Sequence, residues 1–167
     1  MRKNHLAAAV GLVCLGLTST PPGAGEPALV GSWRLVSYEE HAADGTVTAV
    51  WGSAPQGRLM YDAGGRMAVQ LIDPRRRPFA SEDRLGGTAD EVRRAFEGCV
   101  AYFGSYRVDA KAGVVIHHVD GALLPNMIGT DQRRQLVLSG NRLTLTTPPI
   151  LRGGRRSTFV LVWEREG

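Results

Sequence analysis

The alternation of apolar and polar residues from residue 29 onward predicts a series of short β-strands. Met67, Val69 and Leu71, for example, alternate with small or polar residues, as on a strand with one buried face. Turns that contain glycine, such as Asp44-Gly45, separate the segments at intervals of about 8 to 15 residues. The predicted strands are 29–39, 47–51, 58–62, 66–72, 104–108, 114–123, 133–138, 142–147 and 157–165. This spacing is typical of an antiparallel sandwich or barrel, so we predict an all-β fold.

One segment has helical periodicity instead. Thr88 followed by Glu91 has the form of a capping box. Apolar residues then recur at spacings of three or four, at Val92, Phe96, Cys99 and Phe103. We therefore predict an inserted helix at about 88–103, with the Cys99 thiol buried on its apolar face. The irregular segment 73–83 before it is either a binding loop at a barrel entrance or an inert surface loop.

The amino-terminal residues have the pattern of a signal peptide. Positive charge in the first five residues precedes an apolar run at 6–17, which is too short to cross a bilayer comfortably. Small residues and prolines follow, so we expect a signal peptide at 1–25 and a mature domain at 26–167 in a secreted or periplasmic protein. Membrane contact is then expected only through the removed segment. Val13 before Cys14 disfavours a lipid anchor, and without Cys14 no intramolecular disulfide can form.

Composition and charge exclude some partners. The chain has 20 basic and 16 acidic residues, and its net charge of +4 falls to +2 without Arg2 and Lys3. This balance indicates no particular charged partner, and the cluster Arg75-Arg76-Arg77 is better explained as a solvated loop than as an anion or membrane contact. The sequence has no basic helix and no basic strand with interleaved aromatics, so we expect no nucleic-acid binding.

Several short motifs are spread over most of the chain. The first strand carries G-x-W at Gly31-Ser32-Trp33, and further distinctive stretches lie at 57–61, 77–81, 101–106, 125–134 and 143–149. Together these motifs resemble the family of bacterial and fungal lipocalin-like domains, and the resemblance extends over essentially all of 29–165. It implies an antiparallel barrel of about 8–10 strands with an interior cavity for a small apolar or amphipathic molecule. It also implies structural roles for Trp33 as a plug at the closed end and for Arg165 as its cover. The inserted helix departs from the ordinary lipocalin pattern.

Two adjacent histidines, His117 and His118, are the first candidates for chemistry. Because side chains alternate along a strand, the two point to opposite faces and cannot bind one metal ion together. The pattern does not show which of them faces inward. A cysteine-and-histidine zinc pattern is absent, and we expect no metal and no cofactor. The inward histidine either binds a ligand or is a core residue whose ring bonds a neighbouring group.

Further candidates for ligand contacts are polar and aromatic. Polar residues that follow the histidine strand either orient a ligand at the barrel mouth or cap their own loop. They are Asn126, Asp131 and Gln132. The other interior or rim candidates are Gln70, Trp51, Tyr102 and Tyr106.

These features favour a binding protein over an enzyme. No nucleophile elbow and no phosphate-binding glycine loop is present. The alternative is a small-molecule isomerase or cyclase in which the inward histidine transfers a proton together with Asp131 or a tyrosine. That alternative requires the histidine to lie inside a pocket, within hydrogen-bond reach of a second titratable group.

Overall fold

Eight antiparallel strands form a closed barrel, as the sequence predicts. The computed structural model describes residues 26–167, so the predicted signal peptide lies outside the described residues. The elements are α1 (Glu26–Leu29), β1 (Gly31–Ala42), β2 (Val47–Ala49), β3 (Gln56–Tyr61), β4 (Arg66–Ile72), α2 (Ala89–Glu97), β5 (Cys99–Asp109), β6 (Val114–Ala122), a 3₁₀ turn (Pro125–Met127), β7 (Asp131–Ser139), β8 (Arg142–Thr146), β9 (Ile150–Arg152) and β10 (Arg155–Arg165).

The barrel closes between its first and last strands. The strand order is β1-β3-β4-β5-β6-β7-β8-β10, and β10 pairs with β1 from Trp33–Arg165 to Ala42–Ser157. Two short strands, β2 and β9, pair with the parts of β1 and β10 that lie at one end of the barrel. The fold is therefore the predicted all-β barrel, with two additional strands and one inserted helix.

Residues of alternating polarity place the core inside the barrel. In β4 the side chains of Met67, Val69 and Leu71 are buried and those between them are more exposed. The same alternation in β10 buries Phe159 and Trp163 among the core residues. Apolar residues from all eight barrel strands thus meet in one interior.

The end opposite β2 and β9 is sealed by Trp33. Its ring is fully buried, and its Nε1–H donates to the Leu29 carbonyl at 2.9 Å. The Arg165 guanidinium lies 4.1 Å from the centre of the ring and donates to the carbonyls of Val30 and Ala28. The predicted plug and its arginine cover are both confirmed.

A close strand approach explains one glycine. A Cβ atom at Gly104 would lie only 1.9 Å from the His118 carbonyl oxygen, so no larger residue fits without moving β6. The pairing register of β5 and β6 shifts at this point, between Phe103 and Gly104. Gly104 therefore fixes how β6 lies against β5 beside the two histidines.

The inserted helix is shorter than predicted. Its capping box is present, with the Thr88 amide donating to Glu91 and the Glu91 amide to the Thr88 hydroxyl. The helix ends at Glu97, however, and the predicted extent to 103 is wrong. Pairing of β5 with β4 along Cys99–Ser105 competes successfully with the helical periodicity.

Two residues assigned to that helical face therefore have other surroundings. Cys99 is the first residue of β5 and is only partly buried, and Phe103 is exposed on the outer surface of the barrel. Val92 and Phe96 of α2 are also about half exposed, so the helix does not add to the core. No helix within residues 26–167 combines the length and the apolar character needed to span a membrane.

Candidate functional site

The barrel interior contains a cavity of about 510 Å³. Apolar side chains from six barrel strands form most of its wall, among them Leu59, Val69, Leu145 and Leu161. The rim is formed by Phe96 and Glu97 at the end of α2, by Leu123 and Leu124 after β6, and by Ile150 and Leu151 of β9. The end of the helix therefore borders the entrance, whereas loop 73–83 contributes to a neighbouring surface hollow.

A buried group of three polar side chains lies at the cavity wall. His117 is 1% exposed, its Nε2 lies 2.7 Å from the Tyr61 hydroxyl, and its Nδ1 lies 3.0 Å from the Tyr102 hydroxyl. His117 and Tyr102 line the cavity, whereas Tyr61 is packed behind them against Tyr106. Both ring nitrogens therefore have partners, and the ring is held in one orientation.

The proton on His117 can be assigned from these partners. A neutral imidazole donates from one nitrogen and accepts at the other. The Tyr61 hydroxyl is fully buried, and His117 is the one hydrogen-bond partner it has in the described chain. If Nε2 donated to Tyr61, the Tyr61 proton would remain buried without an acceptor, which is costly. We therefore assign Tyr61 as the donor to Nε2, and Nδ1–H as the donor to Tyr102.

Burial keeps this group uncharged. Loss of solvent lowers the pKa of His117 to about 3, and the positive charge of Arg134 adds to the effect. Burial also raises the pKa of Tyr102, against a smaller lowering by Arg134. At neutral pH the histidine and the tyrosine are both neutral.

The neighbouring strand β7 adds a chain of polar contacts to the same wall. Gln132 and Arg134 are partly buried cavity residues that pair in register with His117 and Val115. Arg134 approaches the Gln132 Oε1 atom at 3.4 Å, and the Gln132 Nε2 atom donates to the Thr130 hydroxyl at 2.8 Å. These contacts orient the amide so that its oxygen faces the guanidinium.

Trp163 lines the cavity with its ring and has an unpaired indole nitrogen. The residue is 1% exposed and its buried Nε1–H has no acceptor in the described residues. A buried donor without an acceptor is uncommon and costs stability.

His118 and Asp131 lie on the outer surface of the barrel, away from this cavity. His118 Nδ1 lies 2.9 Å from Asp131 Oδ1, and Arg107 lies 3.4 Å from the other carboxylate oxygen. The hydrogen bond from His118 is the main cause that lowers the pKa of Asp131. His118 is on the outer face of β6, and Asp131 of β7 pairs in register with it. Neither His118 nor Asp131 is therefore a cavity residue.

The remaining predicted site residues are also divided between interior and surface. Gln70 is exposed on the outer face of β4, so the interior position predicted for it is wrong, and Asn126 is exposed in the turn after β6. Tyr106 is buried below the cavity, where its hydroxyl donates to the Asp62 carbonyl. Trp51 is buried against the Tyr38 ring and borders the neighbouring hollow. Their ligand-binding roles remain untested predictions.

Two cavity residues, Arg134 and Trp163, and the supporting residue Tyr61 were not among the predicted site residues. The available sequence signal is strand periodicity, because Tyr61 and Arg134 lie two residues from Leu59 and Gln132 and so share the inward face with them. The strand pattern around Trp163 predicts a buried aromatic residue and does not distinguish a core position from a cavity wall. No group of three or more metal-ligating side chains is gathered within residues 26–167.

Comparison with known proteins assigns the chain to a family. A family model for the lipocalin-like domain matches residues 30–166. The chain belongs to the lipocalin-like domain family.

The chain is similar to a protein of named function and to a solved structure. A protein of Aspergillus oryzae, named as a 4'-hydroxy-3'-methoxypropiophenone carrier protein, is 31% identical over 107 residues. That alignment spans 59% of this chain and 96% of the relative. A crystal structure of a lipocalin-like protein from Bacteroides uniformis is 14% identical, covers 83% of this chain and 98% of that one, and has a TM-score of 0.41.

Proposed function

We propose that this barrel encloses a small amphipathic molecule and carries it without changing it. The observation that carries the proposal is a cavity of about 510 Å³ with mostly apolar walls and one cluster of oriented polar groups. Volumes of this order, with few polar groups among apolar side chains, are typical of small-molecule sites. The cavity is also continuous with a rim, so a ligand can enter without opening the strands.

The similar carrier from Aspergillus oryzae supports the same function. Its name describes a carrier of a hydroxylated and methoxylated aryl ketone. We extend to this chain only the class of activity, namely binding of a small and partly polar organic molecule. The molecule itself is to be found by native mass spectrometry of the protein purified from its own host.

The isomerase or cyclase alternative has one observation in its favour. His117 lies at the cavity wall and contacts two titratable groups, Tyr61 and Tyr102. A pKa of about 3, however, makes the imidazole a weak base at neutral pH, which favours carriage over proton transfer. Chromatography and NMR of a ligand recovered before and after incubation with the protein distinguish the two functions, because an isomerase returns an altered molecule.

Binding in the cavity is tested by blocking it. Val100 is on the inner face of β5 and lines the cavity, and Val100→Trp should fill part of the space. Ser105→Trp places the same side chain on the exposed outer face of the same strand and is the control. We expect the fluorescent probe N-phenyl-1-naphthylamine to bind the wild type and the control and to lose at least tenfold in affinity for Val100→Trp. Equal binding by all three proteins would contradict a cavity site.

We also propose that the domain acts after export. The proposal rests on the charged and apolar pattern of residues 1–25. Amino-terminal sequencing of the protein from its host should give a first residue near 26. A mature protein that retains residues 6–17 would contradict it.

A further inference from the structure

The polar atoms that line the cavity are mainly hydrogen-bond donors. The Tyr102 hydroxyl, the Trp163 indole and the Arg134 guanidinium all belong to cavity-lining residues. Two of the potential acceptors are already used, since Gln132 Oε1 faces Arg134 and the Thr147 hydroxyl oxygen accepts from the Phe159 amide. Arg152 adds a second guanidinium to the wall, and Tyr38 adds a hydroxyl that can donate or accept. Of the described residues on the wall, Glu97 alone carries a carboxylate, and it is exposed at the rim.

The hydroxyl of Tyr102 has a free proton in this arrangement. Because Nδ1 of His117 donates to the Tyr102 oxygen, the Tyr102 O–H needs a different acceptor. Tyr61 fixes this direction from behind by donating to Nε2. The three side chains therefore act as a relay of donors that ends at the cavity.

Arg134 brings a positive charge to the same wall without a carboxylate. Its contacts are the Arg133 carbonyl at 2.8 Å, the Gln132 amide oxygen at 3.4 Å and the Tyr102 hydroxyl oxygen, and it forms no salt bridge in the described chain. Its charge lowers the pKa of both His117 and Tyr102, which agrees with a guanidinium that faces the interior. A partly desolvated cation without a counter-ion is unfavourable, and a ligand anion would relieve this cost.

We propose that the cavity selects molecules that carry an oxygen anion, a carboxylate or an ionised phenol, on an apolar body. Arg134 binds the anion, and the Tyr102 hydroxyl donates a second hydrogen bond to it. The apolar body lies against the aliphatic wall and the Trp163 ring. This proposal rests on the proposed function, since it specifies the ligand class of the same cavity.

Four naphthalene probes of similar size test the selection. They are 2-naphthoate, the neutral ketone 2-acetylnaphthalene, the hydrocarbon 2-ethylnaphthalene and the cation 2-naphthylmethylammonium, each competing with N-phenyl-1-naphthylamine at pH 7. We expect 2-naphthoate to bind about tenfold more tightly than the hydrocarbon, with the ketone between them and the cation weakest. Equal affinities for all four probes would overturn the selection of anions and leave the proposed function intact. Failure of every probe to bind would overturn the proposed function as well.

Two variants with a matched control assign the selection to Arg134. Arg134→Met should reduce 2-naphthoate binding about tenfold and leave 2-ethylnaphthalene binding unchanged, which also shows that the cavity is folded. Arg133→Met removes the adjacent, outward-facing arginine of β7 and should change neither affinity. Tyr102→Phe should weaken both 2-naphthoate and the ketone severalfold, without affecting the hydrocarbon. An equal loss in Arg134→Met and Arg133→Met, or an equal loss for both probes, would overturn the role of Arg134.

Discussion

His117 and His118 are adjacent in sequence and have opposite environments. His117 is 1% exposed between two tyrosines, whereas the His118 side chain is 52% exposed beside a carboxylate. Burial, with a further contribution from the positive charge of Arg134, lowers the pKa of His117 far below that of a free imidazole. Solvent screens the contact between His118 and Asp131. The comparison teaches that the face of the strand, and not the residue type, decides which histidine belongs to a site.

A lysine at each position should give the largest difference between the two faces. At position 117 the amine must stay neutral or be buried as a cation, and holding it neutral at pH 7 costs about 5 kcal/mol. His118→Lys keeps a positive partner for Asp131 in solvent and should have little effect. Urea denaturation of both variants measures the contrast. Similar stabilities for the two lysine variants would show that position 117 is more hydrated than its burial indicates.

Acid should destabilise the protein mainly through His117. The unfolded chain takes up a proton at this residue near pH 6.5, but the folded protein does so only near pH 3. Between these values the unfolded state binds more protons, so stability is complete above about pH 6.5 and declines as the pH falls. We expect His117 to account for about 2 kcal/mol of lost unfolding free energy between pH 7 and pH 5.

Two glutamine variants separate the histidines in that experiment. Urea titrations at pH 7, 6 and 5 should show the decline in the wild type and in His118→Gln. His117→Gln should be nearly independent of pH in this range. A decline of the same size in His117→Gln would assign the effect to other groups.

Loss of the Tyr61 hydroxyl should have a smaller effect on the inner face. Tyr61→Phe leaves the buried Nε2 atom of His117 without its donor, at a cost of about 1.5 kcal/mol. Nitrogen-15 NMR of the wild type should show the imidazole proton on Nδ1, as the hydrogen-bond partners require. A proton on Nε2 in the wild type would contradict the assigned tautomer and the free Tyr102 proton.

The outer face should show the smallest effect. Asp131→Asn removes the carboxylate that contacts His118 and Arg107, yet both contacts are exposed. Exposed ion pairs contribute little to stability, so the thermal midpoint should stay within the error of the wild-type measurement. A clear fall in the midpoint would mean that this pair has a structural role comparable with that of the inner cluster.

The sequence predicts the barrel well because strand periodicity and glycine turns are local signals. The segments around Met67–Leu71 and Phe159–Trp163 alternate as the sheet requires, and the G-x-W motif identifies the sealed end. The predicted helix extends too far at its carboxyl end, and the reason is non-local. Residues from Cys99 onward find hydrogen-bond partners in β4, and no local pattern shows that this pairing is available.

The site is only partly predictable because strand alternation does not show which of the two faces of β6 points into the barrel. Val115, His117 and Val119 form one face and Val114, Ile116 and His118 the other, and both faces are rich in apolar residues. The pairing of β6 with β5 and β7 decides between them and places Gln132 and Arg134 beside His117 and Val115. Tyr61 comes from β3 and reaches His117 across the interior of the barrel. These side-chain contacts depend on the closed barrel, and no short sequence motif predicts them.

The pairing of β1 with β10 has a consequence for folding during synthesis of the protein. Residues 31–42 are synthesised well before residues 155–165, so the ring of strands cannot close until both segments have left the ribosome. Contacts of such long sequence separation slow folding, since their entropy is lost before their gain is realised. A nascent or truncated chain without residues 155–165 leaves a gap between β1 and β8, so we expect it to have no enclosed cavity.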